Sequence, residues 1–523
     1  MSLKIRLDNF YKLMSCRSDS DSHYEKEFET LLIDLIEDMD YFKKNKNLYG
    51  RSNLSNDVLG RSCIWALVDK GARETVILFG HHDIVGIEQY GDFKAHAFDS
   101  DFLRTKFKDL ELDPDEWIYG RGSCDMKAGI AINLELLERA TLNEAYPNIL
   151  FLAVPDEENL SAGMRHCIEL IESLQTQYKL NYHSAFLTEP HERRCPDEFT
   201  TYSGSAGKMM PFIVVKGIPV HTGDVFSGLN PISILTEIVK AVELNTEMGD
   251  VMYKKMTPPP TFLCLRDLKE QYDVTTPEFA SAFFNWMFLK DHLDVKLLQL
   301  KELCVWSLED AINQFNYSQN QFLRKQGLKS FECVKEFKTK VLFYEELIDL
   351  LAQKTNAEAF VSRFLEQHTE KNDQKLAVML VKSIIEYLEF DHPVVVIGLM
   401  APFYPAVDST EFHMAQFNDL IKSICSDFGL SYANEPFFMK ICDMSYLKGM
   451  QTSAEVIENN MPFLNKRYSI NFEKLNQLNI PCSIIGPWGK DLHQKTERVF
   501  KKDLEETVPT ILENLLIHIN HLG

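Results

Sequence analysis

Apolar positions repeat along this chain with two different periods. Near the N-terminus Phe28, Leu31, Leu32, Leu35, Ile36 and Met39 recur at three- and four-residue steps, the apolar stripe of one helix. Ser22 with Glu25 has the spacing of a capping box and predicts where that helix starts. Short continuous apolar runs follow at 63–68, 75–79, 149–154, 185–187 and, near the C-terminus, 483–485. Runs of that length without alternation predict strands buried on both faces. Helical patterns lie between them, at 128–140 and 163–175. Buried strands alternating with helices predict an α/β domain with a mostly parallel sheet flanked by helices.

The middle of the chain reads differently. Strands are expected at 208–215 and 261–265, with a helix at 231–244 between them. Residues 276–390 are rich in Leu, Phe and Lys, poor in Gly and Pro, and mostly helical in pattern; strand character returns at 394–400. After about residue 409 helix and strand alternate again. The reading is one α/β domain, 1–204 and 409–523, interrupted by an α+β domain with a helical insertion at 205–408. No fixed-period repeat and no low-complexity linker is visible.

Composition narrows the partners. With 45% hydrophobic and 25% charged residues the chain can build packed cores, which excludes a disordered or fibrous class. Acidic residues outnumber basic ones 77 to 55, a formal charge of -22, and such a field repels nucleic acid and anionic membranes. Eleven cysteines without a C-x-x-C pair read as reduced thiols in a cytoplasmic protein. The opening MSLKIRLDNFYKLM has neither the apolar core nor the cleavage site of a secretory signal. The most apolar later run, 394–400, is too short to span a bilayer and is followed by Pro402 and Pro405.

Chemistry concentrates at strand ends, where open α/β sheets bind ligands. The run 75–79 leads into Gly80-His81-His82-Asp83, and 149–154 into Pro155-Asp156-Glu157-Glu158. The run 185–187 leads into Thr188-Glu189-Pro190, and 483–485 into a Gly-Pro-Trp-Gly loop and His493. Asp125 ends the turn Gly120-Arg121-Gly122-Ser123-Cys124-Asp125, just before a helix. Taken singly, each has a plain explanation: a surface histidine, a solvated acidic loop, a helix cap. Five such groups on one sheet rim are instead the donor set of a borderline divalent metal, zinc above all. His23, His518 and His521 lie in helical segments and are set aside as packing or surface residues.

These motifs together resemble the co-catalytic zinc peptidases, the family of aminoacylase, acetylornithine deacetylase, succinyl-diaminopimelate desuccinylase and glutamate carboxypeptidase. The likeness covers essentially the whole chain. Three further segments resemble the arginine-utilisation branch of that family: Ala401-Pro402-Phe403-Tyr404-Pro405, Cys442-Asp443-Met444-Ser445-Tyr446-Leu447 and Gly486-Pro487-Trp488-Gly489-Lys490-Asp491-Leu492-His493, with Thr496-Glu497-Arg498-Val499 behind them. The resemblance implies two Zn2+ per chain, with Co2+ or Mn2+ able to substitute. It implies that Asp125 bridges them, that His81 and Glu189 complete one site, and that Glu158 and His493 complete the other. It makes Glu157 the general base and Asp83 the carboxylate that orients His81. It implies a cis peptide after Asp125, and assigns Cys124 to packing. His82 creates a register ambiguity, but only His81 keeps the two-residue step to Asp83. His221, in Lys216-Gly217-Ile218-Pro219-Val220-His221-Thr222-Gly223, resembles the lid-domain histidine that reaches a partner's site in family dimers, and Asn230 just beyond is carried as a substrate-binding residue.

The expected function is hydrolysis of a peptide or N-acyl amino-acid amide bond, with a link to arginine or amino-acid catabolism, by a homodimer. Two alternatives stay open at this point: a catalytically inactive binding or regulatory protein on the same fold, and a metal-dependent deacetylase or esterase.

Overall fold

The computed structural model describes residues 7–72, 74–327, 334–450 and 454–522. The first six residues of the N-terminal run lie outside them. The chain forms two compact units: Met1–Ala206 with Val407–Gly449 and Asn471–Gly523, and Gly207–Ala406 with Met450–Ile470. No helix among the described residues is long and apolar enough to cross a membrane, and the ten described cysteines are free thiols.

The first unit is built on an eight-stranded mixed sheet. Its spatial order is Tyr49–Asn53, Ser62–Val68, Asn148–Val154, Thr75–His81, Tyr182–Leu187, Cys482–Ile484, Glu198–Tyr202 and Ser431–Glu435. The four strands from Asn148–Val154 to Cys482–Ile484 run parallel to one another. Asn148–Val154 and Thr75–His81 are buried at every position, as a sheet covered on both faces requires. Helices Ala128–Leu142 and Ala162–Tyr178 supply cover. The expected helix near the N-terminus is Tyr24–Glu37, with Phe28, Leu32 and Ile36 fully buried. Its capping box does not form. Ser22 Oγ accepts the Tyr24 N–H at 3.2 Å and donates to Asp19, while Glu25 turns inward to Arg61. A buried carboxylate gains more from a guanidinium than from a cap N–H.

The second unit holds a five-stranded sheet in the order Thr261–Asp267, Phe279–Phe288, Gly207–Lys216, Val394–Tyr404 and Lys340–Phe343. Only its last pair is parallel. Helices Tyr344–Ala352, Ala357–Gln367 and Asp373–Leu388 pack on one face through Leu347, Leu351, Leu380 and Ile384. Helix Pro231–Val242 packs against Gly207–Lys216, Phe279–Phe288 and Thr261–Asp267, beside the long helix Leu293–Lys325. Helices fill most of 276–390, as the pattern predicts, but two stretches depart from it: Phe279–Phe288 is an inner strand and Lys340–Phe343 a short parallel one. The sequence FASAFFNWMF is apolar almost throughout, so it shows no period-2 alternation to betray a strand. Its aromatic content fits a strand buried between two others.

Candidate metal centre

Register brings the chemical groups to one rim. His81 pairs with Val154, and Phe79 with Leu187, so three parallel strands end side by side. The chain leaving them supplies His81, then Glu157 and Glu158, then Glu189. The adjacent Cys482–Ile484 leads to His493, and the glycine turn before helix Ala128–Leu142 supplies Asp125. Two glycines make the close approach feasible. Gly122 sits at φ 73°, where a side chain is strained, and a Cβ at Gly486 would lie 2.1 Å from the Glu189 carbonyl oxygen. The Asp125–Met126 peptide is cis.

The two oxygens of Asp125 face different histidines. Oδ1 lies 3.0 Å from His81 Nε2, and Oδ2 lies 3.1 Å from His493 Nε2. Glu189 Oε1 is 3.7 Å from His81 Nε2, and Glu158 Oε2 is 3.2 Å from His493 Nε2. Ligand atoms of His81, Asp125 and Glu189 all fall within 4.8 Å of one another, as do those of Asp125, Glu158 and His493. A third grouping, His81 with Glu157 and Glu158, meets the same limit, with Glu157 Oε2 4.0 Å from His81 Nε2. Seven residues singled out from the sequence, these six and Asp83, therefore converge in the first unit.

The donor set fits divalent metal on its own chemistry. Glu158 Oε1 and Glu189 Oε2 are buried, and no described residue offers either a hydrogen bond. Such oxygens are costly unless something fills their lone pairs. Burial, and then the repulsion from Asp125 and Glu158, pushes Glu189 up to about 8 despite His81. Burial also drives Glu157 well above the usual carboxylate range, with Asp443, Glu158 and Glu189 adding to the rise and His81 opposing it. Asp125 goes the other way: burial would raise it, but hydrogen bonds from His493 and His81 prevail and hold it ionised. Crowded carboxylates of this kind are relieved by a bound cation.

Asp83 lies beside His81 and also holds a neighbouring turn. The partner of His81 Nδ1 is the Asp83 backbone carbonyl at 2.9 Å; the carboxylate stands back at 3.6 Å. The carboxylate also accepts the N–H groups of Glu157 at 3.0 Å and Glu158 at 3.1 Å, holding the turn that carries both. His82 is buried against Phe28, its ring nitrogens bonded to nothing described, and burial pushes it down to about 4. Cys124 is fully buried, and burial raises its thiol.

Two buried ion-pair systems went unnoticed in the sequence. Arg61 reaches Glu25 at 3.1 Å, Asp57 at 2.8 Å and Asp156 at 2.7 Å, while Glu25 accepts the Asp156 N–H at 3.1 Å. Arg121 pairs with Glu497, 376 positions away. Arg121 and Glu497 lie, with opposite charge, in two separate motif runs, whereas Arg61 lies in none.

His221 and Asn230 belong to the second unit. His221 is exposed, and its Nδ1 accepts the Gly223 N–H at 3.0 Å. Asn230 caps helix Pro231–Val242, its side chain accepting the Ile232 N–H at 3.0 Å.

Comparison with known proteins bears on this site. The profile of Peptidase family M20/M25/M40 matches residues 77–516. Two Bacillus subtilis proteins resemble the chain almost end to end. YqjN is 30% identical over 91% of this chain and 89% of its own length; RocB is 29% identical over 93% and 90%. Among solved structures, an M20 family metallo-carboxypeptidase from Sulfolobus solfataricus shares the fold, with a TM-score of 0.54 at 11% identity over 98% of each chain.

Proposed function

Because the chain belongs to peptidase family M20/M25/M40 and is a hydrolase of that family, we propose that it is a dizinc enzyme cleaving a peptide or N-acyl amino-acid amide bond. The observation that carries this reading is the pair of ligand triads sharing Asp125. Nitrogen and oxygen donors in triads suit zinc, with Co2+ or Mn2+ as substitutes.

His81, Asp125 and Glu189 would hold one ion, and Asp125, Glu158 and His493 the other. When bound, the ions supply the positive charge that acidifies a water and polarises the scissile carbonyl. Glu157 is left to move protons. Its carboxylate accepts one from the attacking water and delivers it to the leaving nitrogen. The Asp83 carboxylate keeps Glu157 in reach by gripping its backbone N–H.

The second unit is read as the lid and dimerisation domain. Because His221 Nδ1 accepts a hydrogen bond, the neutral ring carries its proton on Nε2. That N–H suits a donor to a developing oxyanion, supplied to the partner's site in a homodimer. Asn230 Oδ1 is engaged by its own helix, which leaves only its amide for a substrate. We place the protein in the cytoplasm, in keeping with its free thiols. Small peptides and N-acyl amino acids form the substrate class, and derivatives of arginine head the panel to screen. A deacetylase or esterase would use the same groups; an inactive binding protein has no need of the complete ligand set.

Elemental analysis should give about two zinc ions per chain. Glu157→Gln should lower turnover by at least ~1000-fold with metal content unchanged, since an amide cannot shuttle a proton. Loss of metal in Glu157→Gln, or near-zero zinc after reconstitution of the wild type, would overturn the reading. For the dimer, His221→Ala chains are mixed with Glu157→Gln chains. Each parent should be nearly inactive, while a heterodimer regains one site with both groups intact. A verified heterodimer without recovered activity rules out the trans role.

A further inference from the structure

We propose that the buried Arg121–Glu497 ion pair is a positioning device for the metal centre, setting the place of His493 through one end and of Asp125 through the other. Both side chains are essentially inaccessible, at 1% and 0% exposure. Arg121 Nη1 meets Glu497 Oε2, and Arg121 Nη2 donates to the carbonyl oxygen of His493 at 2.9 Å. The second carboxylate oxygen, Glu497 Oε1, faces the backbone N–H groups of Cys124 at 3.3 Å and Asp125 at 3.4 Å. The Glu497 carbonyl accepts the Gly120 N–H at 3.0 Å, closing the contact between the two segments. The Tyr90 ring lies 5.4 Å from the guanidinium carbon.

The pair thus grips the backbone of two ligand residues more than 360 positions apart, and touches neither ligand side chain. His493 needs such a hold. Its side chain is 45% exposed, it sits at φ 65°, and it belongs to no helix or strand. A planar guanidinium can bind a carboxylate and a carbonyl together, which an ammonium does less well. Groups that orient metal ligands from behind are worth about 10–100-fold in affinity or activity.

The proposal rests on the reading that Asp125 and His493 share one ion, so the test isolates each half of the centre. Zinc affinity is measured by chelator competition, and the absorption of bound Co2+ reports ligand geometry. Arg121→Lys keeps the charge facing Glu497 but gives up the fork to His493. In a Glu189→Gln background, which leaves the His493 half, Arg121→Lys should weaken the metal about 10–100-fold and alter the Co2+ spectrum. In a Glu158→Gln background, which leaves the His81 half, it should weaken the metal less than about threefold. Should Arg121→Lys fail to fold, Arg121→Met with Glu497→Leu replaces the pair by apolar groups of similar volume, a change buried pairs often tolerate. That double variant should lose affinity in both backgrounds, more in the His493 half. Equal losses in the two backgrounds, or none, in a folded protein overturn the positioning role. A wild type that binds fewer than two ions overturns the dizinc reading instead, and the two failures are told apart by that control.

Discussion

The two halves of the candidate centre are built to different standards. His81 ends a strand buried at every position, is 1% exposed, and has its Nδ1 fixed by a carbonyl two residues on. His493 leaves the sheet on a loop, is 45% exposed, and has its backbone carbonyl held by the Arg121 side chain. Glu189 and Glu158 are equally buried, so the asymmetry lies in the histidines. A ligand on a strand inherits the precision of the ladder; a ligand on a loop must borrow it from side chains. One half is expected to hold its metal rigidly and the other to exchange it.

Removing the shared ligand breaks the comparison outright. Asp125→Ala should strip both ions and lower activity by ~1000-fold or more, because each triad loses a donor. Metal analysis of the purified variant checks it; retention of one tightly held ion would show that Asp125 does not bridge. A smaller effect separates the halves. His493→Ala should cost one ion and leave the other within about threefold of its original affinity. His81→Ala should cost about 10–100-fold more at its own site than His493→Ala does, since a buried vacancy is not refilled by water as readily. Stepwise chelation of the wild type should release the His493-side ion first. Release of both ions in one step would erase the distinction.

The smallest effect sharpens the comparison through pH. His413 lies behind the strand that leads to His493, its ring nitrogens 2.8 Å from Ser483 Oγ and 2.8 Å from the Tyr432 hydroxyl. Burial pushes it down to about 4. An unfolded histidine titrates near 6.5, so the unfolded chain binds the proton first. The stability contributed by neutral His413 is complete above about pH 6.5 and is lost as pH falls toward 4, to a limit of about 3 kcal/mol. Thermal melts from pH 7 to 4 should fall steeply, and His413→Gln should flatten that slope. An unchanged slope would mean His413 is not buried neutral.

Legibility followed chain distance. The strand ends and glycine turn carry His81, Asp125, Glu157, Glu158, Glu189 and His493 in short motifs, and these converge as read. The sheet was equally visible, since runs such as 149–154 are apolar at every position. Phe279–Phe288 was not, because a run apolar at nearly every position fits either a helix or a strand until its neighbours are known. The carboxylate of Asp83 has partners that the spacing does not reveal. Spacing placed it near His81, and two N–H groups on another strand's turn also bind its oxygens. Ser22 and Glu25 matched a local pattern that Arg61 overrode. The Arg61 and Arg121 systems join segments whose pairing no local pattern records.

The strand Cys482–Ile484 is inserted between Tyr182–Leu187 and Glu198–Tyr202, which precede it by nearly 300 residues. During synthesis at roughly 5–20 residues per second, those earlier strands wait about 15–60 s for the one that parts them. Until then two hydrogen-bonding edges are open and the rim lacks its last histidine. Open edges of this kind template pairing with other chains, so a fragment ending before residue 482 is expected to aggregate more readily than the full chain, which light scattering of the two would check. Asp125 likewise meets its second histidine only once residue 493 has been made, so the two proposed ligand triads cannot both be complete in a chain that stops before it.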